Sequence, residues 1–325
     1  MFSYSIAIRT LGTAGEKFRR ELISIQKQTL QPERVIIYIA EGYQRPDFTI
    51  GKEEYISVRK GMVAQRVLSY KEICSDVIFM LDDDVELAPD SAEKLLKAME
   101  LSGADCVGAD VFRNHEMSCG RKIYAMITNW VYPHLNDKWA FKIHKTGSYS
   151  YNNCPRKDFY WSQSAAGPAA IWKKDVFLRL RMADELWLDE MGFPYGEDAV
   201  MFYKCHINKY KLGVLYNSGC IHLDGETSSG LFRQGKDRIY IRTKALFVAW
   251  WRMIYQTSGT SIGKGYSALC FALKECWLFF IIGFFSLCRF SPTLILQYIR
   301  GIKDGWTFVH SDQFTTLRNY DLQQS

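Results

Sequence analysis

Much of what would assign this chain at a glance is missing from it. The nine cysteines, Cys74, Cys106, Cys119, Cys154, Cys205, Cys220, Cys270, Cys276 and Cys288, are odd in number and form no CxxC pair. Neither a disulfide framework nor a zinc site is indicated, and reduced thiols are the plain reading. There is no GxGxxG and no P-loop; a glycine-rich helix start is excluded as a phosphate cradle, which leaves any phosphate to metal and basic side chains. Met1-Phe2-Ser3-Tyr4-Ser5 lacks a basic flank and enters an apparent strand directly, so no secretory signal is expected and the folded part should stay in the cytoplasm. The net charge of +6 is spread along 325 residues, and no nucleic-acid partner is expected from it. With 48% hydrophobic and 23% charged residues the chain can bury a full core, as one large domain or two smaller ones.

What is present concentrates in one stretch. Val77-Ile78-Phe79-Met80-Leu81 is an uncharged, β-rich run that reads as a strand buried on both faces, and Asp82-Asp83-Asp84 follow it. In parallel sheets of α/β proteins, ligands gather at the carboxyl ends of strands. Three adjacent carboxylates repel one another unless a cation neutralises them, and a hard divalent metal carrying phosphate oxygens does so. The competing reading is structural: Pro89-Asp90-Ser91-Ala92-Glu93 opens a helix, and acids before it favour its dipole.

Strand and helix alternate through the first hundred residues. Tyr4 to Ile8 reads as a strand, Lys17 to Gln28 as an amphipathic helix, Arg34 to Ile39 as a strand, Met62 to Cys74 as a helix and Val77 to Leu81 as a strand. That is a βαβαβ nucleotide-binding pattern. Right-handed crossovers would bring Thr10, Glu41 and the aspartates to one crevice.

These residues resemble a known family. Ser24-Ile25-Gln26-Lys27-Gln28-Thr29 is similar to the first-helix signature of family 2 glycosyltransferases, and Pro32-Glu33-Arg34-Val35-Ile36-Ile37 to the strand after it. Asp82-Asp83-Asp84 falls where that family has its DxD motif, and Gly196-Glu197-Asp198 resembles its ED motif, with His222 a little beyond. The likeness spans roughly residues 3 to 245. Two places depart from it: Ala40-Glu41-Gly42-Tyr43 stands in place of the common Asp-Asp-Gly-Ser turn, and Arg9-Thr10-Leu11-Gly12 in place of Pro-x-Tyr-Asn.

The resemblance implies an inverting, metal-dependent transferase with a GT-A-type fold: an α/β protein whose mostly parallel nucleotide-binding sheet is flanked by helices. A divalent cation, Mn2+ or Mg2+, offsets charge growing on a departing diphosphate. Asp84 is the first choice for direct ligand, Asp82 faces metal or ribose, Asp83 can point back into the protein, and His222 is a third metal or diphosphate contact. Asp198 is the candidate base for the acceptor hydroxyl, with Glu197 orienting it or touching acceptor; the alternative is that both acids merely start a helix. Arg66, with Arg238 or Arg242, would fork onto phosphate. Thr10 and Glu41 complete the donor crevice.

Between the acidic motifs lies an aromatic-rich excursion including Tyr124, Trp130, Tyr132, Trp139, Phe141, Tyr149, Tyr151, Phe159, Tyr160 and Trp161. Packing is expected for most, with acceptor contact near Trp161. Ser164-Ala165-Ala166-Gly167-Pro168-Ala169-Ala170 offers small residues where a substrate can approach backbone. The division expected is 1–245 as the transferase domain, with 1–110 for the donor and 111–245 for the acceptor, followed by 246–325 as apolar and amphipathic helices. The run Cys276 to Cys288 has 13 residues between Glu275 and Arg289, short of the ~20 of a simple span. Attachment to the inner face of the cell membrane is expected, against a buried core helix or a homodimer contact.

Processive relatives carry QxxRW; here Gln234 and Arg238 are one residue too far apart and no Trp follows. Transfer of a single sugar from a nucleotide-diphosphate sugar to a glycan or lipid-linked acceptor is the expected activity, suited to bacterial surface polysaccharide. The rivals are a catalytically silent nucleotide-sugar-binding scaffold and a nucleotidyltransferase.

Overall fold

Strand β1 (Tyr4–Thr10) is apolar except near its end, and only Arg9 is not fully buried. In the computed structural model, which describes residues 2–111, 138–223 and 237–324 together with positions 119, 120, 123, 126 and 127, it lies inside an eight-stranded sheet. Helix α1 (Glu16–Gln26) leads to β2 (Val35–Ala40), then β3 (Glu53–Val58), β4 (Val77–Asp82), β5 (Val85–Leu87), α2 (Ser91–Ser102) and β6 (Cys106–Ala109). After a hairpin of β7 (Phe141–Ile143) and β8 (Tyr149–Tyr151) come β9 (Phe159–Trp161), β10 (Ala169–Lys173), α3 (Lys174–Arg179), a 3-10 stretch Met182–Met191, α4 (Glu197–Ile207), β11 (Leu212–Leu215) and β12 (Cys220–His222). The chain closes with α5 (Arg238–Trp250), a π turn at Trp251–Tyr255, α6 (Ser261–Cys288), α7 (Thr293–Val309) and α8 (Asp312–Thr315).

The order across the sheet is β3-β2-β1-β4-β10-β6-β11-β9. The first four strands are mutually parallel, and β10 runs against both its neighbours. The protein is therefore mixed α/β, with a mostly parallel sheet between helices, as its alternation implied. Side chains alternate between two cores: Ile6, Ile8, Phe79 and Leu81 pack with Phe18 and Leu22 of α1 and Leu95 of α2, whereas Ala7, Ile78 and Met80 pack with Phe177 of α3 and Phe202 of α4. That two-fold alternation is the pleat of a sheet covered on both faces.

Three local expectations change. Glu53–Val58, left unassigned by the strand and helix pattern, forms β3, an edge strand whose exposed glutamate at position 54 suits an edge. Met62 to Cys74 is a series of turns, not a helix. Asp189 takes the Val63 and Ala64 amides at 3.0 and 2.9 Å, and Tyr70 adopts a left-handed φ of 47°, which an α-helix does not accommodate. The 13-residue apolar run is part of a continuous 28-residue helix, α6. Lys274 and Glu275 do not interrupt it because they pair with each other at 3.0 Å, Lys274 also donates to the Thr146 carbonyl, and Glu275 accepts from Tyr298. The division at residues 245 and 246 falls inside α5, whose Phe247, Val248 and Trp250 share a core with Val63, Trp187 and Val200.

Candidate functional site

Three elements meet at the carboxyl end of β4. Because β10 is antiparallel to β4, its lead-in Gly167-Pro168 reaches the end where Asp82 emerges, and the Asp82 amide donates to Pro168 O at 2.9 Å. Helix α4 starts there with Glu197 and Asp198. Beside it, β5 pairs with β12 so that His222 faces Val85, which sets the imidazole next to Asp84: Asp84 Oδ2 and His222 Nε2 are 3.0 Å apart.

Helix α1 holds the chain just beyond the acids. Ser24 Oγ accepts from the Leu87 amide at 3.1 Å, and Gln28 donates to Ala88 O at 2.7 Å while accepting from the Ala92 amide at 3.0 Å. The signature Ser24 to Thr29 thus has a physical job, anchoring the turn that carries the aspartates.

The three aspartates go different ways. Asp82 is chelated by Arg9, with Nε at 2.5 Å and Nη2 at 3.0 Å, and Arg66 Nη2 lies at 3.2 Å. Burial pushes the Asp82 carboxyl up, but the two guanidiniums outweigh it and hold it well below the carboxylate range. Asp83 turns back and accepts from the Thr10 hydroxyl at 2.5 Å, while Thr10 Oγ1 takes the Gly12 amide at 2.7 Å. Burial raises Asp83 to about 6, with Asp82 and Asp84 adding to the effect. Asp84 pairs with His222.

The two acidic motifs are joined by arginine. Arg66 Nη1 contacts Glu197 Oε2 at 3.1 Å and Asp198 Oδ1 at 3.0 Å, and Arg9 Nη2 reaches Glu197 Oε1 at 3.4 Å. Asp198 Oδ2 takes the Gly167 amide at 3.0 Å. Two guanidiniums therefore face three carboxyl groups, Asp82, Glu197 and Asp198. Burial raises the Glu197 carboxyl, with Asp198 and Asp82 pushing the same way against Arg66 and Arg9. Glu197 is nearly enclosed at 7% side-chain exposure, whereas Asp198 is 38% exposed. The small residue at position 167 serves this contact: a Cβ on Gly167 would come within 2.0 Å of Asp198 Oδ1. It is thus a protein carboxylate that approaches this backbone.

No family model and no curated protein matches the chain. Among solved structures it is similar over 85% of its length to a crystal structure of GalNAc-T7 with UDP, GalNAc and Mn2+, at 12% identity and a TM-score of 0.47. The chain spans 55% of that one, about half its length.

The remaining expected residues scatter. Glu41 stands exposed just past β2, and Arg238 opens α5; among the described residues neither pairs with the cluster. Tyr160 and Phe141 are buried in the core, while Trp161 is 40% exposed on edge strand β9, four strands from β4 or roughly 19 Å at ~4.8 Å per strand. Tyr124, Trp130 and Tyr132 lie outside the described residues. Sequence reasoning passed over Arg9. Its signal was there: a charge late in a buried strand needs a partner, and the register places it opposite Asp82.

Among the described residues no group of three His, Cys, Asp or Glu side chains is arranged to hold a metal. Asp84 and His222 offer two donors, which suits a cation whose other positions are filled by diphosphate and water rather than an all-protein cage.

Proposed function

We propose that this protein is a metal-dependent glycosyltransferase of the GT-A type, moving a single sugar from a nucleotide-diphosphate sugar to a glycan or lipid-linked acceptor with inversion. The observation that carries this reading is the meeting, at the carboxyl end of β4, of the Asp84–His222 pair with the partly exposed Asp198. Asp84 and His222 would hold Mn2+ or Mg2+. When bound, such a cation offsets charge on the leaving diphosphate. Asp82 stays with Arg9 and Arg66 and so shapes the site instead of coordinating.

Asp198 accepts the proton of the acceptor hydroxyl as that oxygen attacks the anomeric carbon. Each of its oxygens carries one protein contact, and a carboxylate oxygen has two lone pairs, so one remains on each for the hydroxyl. Glu197 is fixed behind it by both arginines. Thr10 and Asp83 close the floor of the donor side, with Glu41 at its rim and Arg238 beyond the acceptor side. The apolar outer face of α6 supports attachment to the inner surface of the cell membrane, and a role in bacterial surface polysaccharide synthesis fits a lipid-linked acceptor.

The test is thermal stabilisation by UDP, GDP and dTDP, each with Mn2+, Mg2+ or chelator. A native-state ligand at a hundred times its Kd adds about 2.7 kcal/mol. A metal-dependent shift in the wild type that disappears in Asp84→Asn but persists in Asp198→Asn, with transfer lost in both, is expected. Absence of any shift, or wild-type transfer by Asp198→Asn, would sink the reading.

A further inference from the structure

We propose that Arg66 is the positioning residue that couples the base to the donor-binding strand: it fixes the Asp198 carboxylate for proton transfer and ties it to Asp82. This rests on the glycosyltransferase reading above and assigns Arg66 a different task from gripping phosphate.

The geometry is specific. Arg66 comes from the turns before β4, in a stretch pinned by Asp189. Its side chain is 7% exposed, and its two terminal nitrogens reach Asp82, Glu197, Asp198 and the Gly167 carbonyl at 3.2, 3.1, 3.0 and 3.3 Å. Only a planar fork spans so many acceptors from one site; an ammonium is a single point charge. Every contact goes to protein oxygen. Gly167 completes the hold on Asp198 from the opposite oxygen, so the carboxylate is fixed at both ends, as productive attack geometry requires.

The groups that act on Asp198 can be named. Arg66 touches it and Glu197 adjoins it, while Arg9 and Asp82 act through the cluster. Tyr149 of β8 lies within its electrostatic reach, and Arg242 of α5 within that of Tyr149. Arg66 is the one cation in contact with it among the described residues.

Arg66→Gln and Arg66→Lys form the test, since Arg66→Gln leaves one guanidinium against three carboxylates and can fail to fold whereas Arg66→Lys retains the charge. Nucleoside diphosphate release from UDP-glucose, UDP-N-acetylglucosamine, GDP-mannose and dTDP-rhamnose is the readout. There kcat should fall about a hundredfold in Arg66→Gln and be partly restored in Arg66→Lys, with donor KM within about threefold of wild type in both. An unchanged kcat in a folded Arg66→Gln variant overturns the proposal. So does a defect confined to donor KM, which would return Arg66 to phosphate binding. If the wild type neither binds nucleotide with metal nor releases diphosphate, the glycosyltransferase reading itself fails and the positioning role falls with it.

Discussion

Glu21 is a buried carboxyl group close to the aspartates that follow β4. It lies in the middle of α1, fully buried, and neither side-chain oxygen has a hydrogen-bond partner. Burial raises its pKa well above the ordinary 4.5, and Asp83, Asp84 and Asp82 add to this while the Val85 amide opposes it. A raised carboxyl favours the unfolded state as pH climbs past the ordinary value, because only the unfolded chain ionises there. Glu21→Gln removes that penalty. It should raise Tm at pH 8 and leave it unchanged at pH 4, read by circular dichroism; equal shifts at both would show that packing, not protonation, governs the site. Residue identity was legible here in a limited sense. Glu21 and Ser24 sit on one face of α1, with Gln28 just past its end at the same spacing, yet nothing in the sequence tells a solvated polar stripe from one turned inward.

At the scale of elements, α6 is the piece whose character changed most between pattern and structure. Its 28 residues, about 42 Å at ~1.5 Å per residue, include an 18-residue window of mean hydropathy 1.9, long and apolar enough to cross a membrane by length and composition. Ile262, Tyr266, Leu269, Leu273, Trp277, Phe280, Phe284 and Leu287 form one exposed stripe down it, while both acids of α6 and α7 turn inward, Glu275 to Lys274 and Tyr298, Asp304 to Tyr240. Arg289, Arg300 and Lys303 stay exposed. Apolar stripe with basic flanks is the chemistry of an anionic lipid surface. Phe280→Glu with Phe284→Glu should abolish flotation with phosphatidylglycerol vesicles while leaving the nucleotide-induced thermal shift intact. Undiminished flotation would remove α6 from the membrane contact. The sequence hid this helix because a Lys-Glu pair looks like a boundary until the partners that neutralise it are known.

Across the whole molecule, a buried ionic core fastens the C-terminal segments to α4, the helix that opens with Glu197 and Asp198. Glu185 takes Lys204 of α4 at 2.7 Å and Arg252 of the π turn at 2.9 Å, and Tyr320 near the end of the chain donates to Val200 of the same helix α4. Burial pushes Glu185 up, but Lys204 and Arg252 outweigh it and bring it down to about 2. For a depressed carboxyl the stabilisation is present above the ordinary 4.5 and is lost as pH falls from there toward about 2. Glu185→Gln leaves two buried cations without their anion and should cost about 3–5 kcal/mol in urea unfolding; a loss under about 1 kcal/mol, the range of an exposed pair, would show that water reaches the cluster. The sequence by itself determined the β1-α1-β2 unit, the double-sided burial of β1 and β4, and the exit of three aspartates at a strand's carboxyl end, because hydrophobic period and strand length are local properties. Only the tertiary structure decided that Arg9 and Arg66 divide themselves among Asp82, Glu197 and Asp198, and that Asp84 is left to His222. The partner of a buried charge is chosen by strand register and by the antiparallel entry of β10, and neither is written in the spacing of residues more than a hundred positions apart.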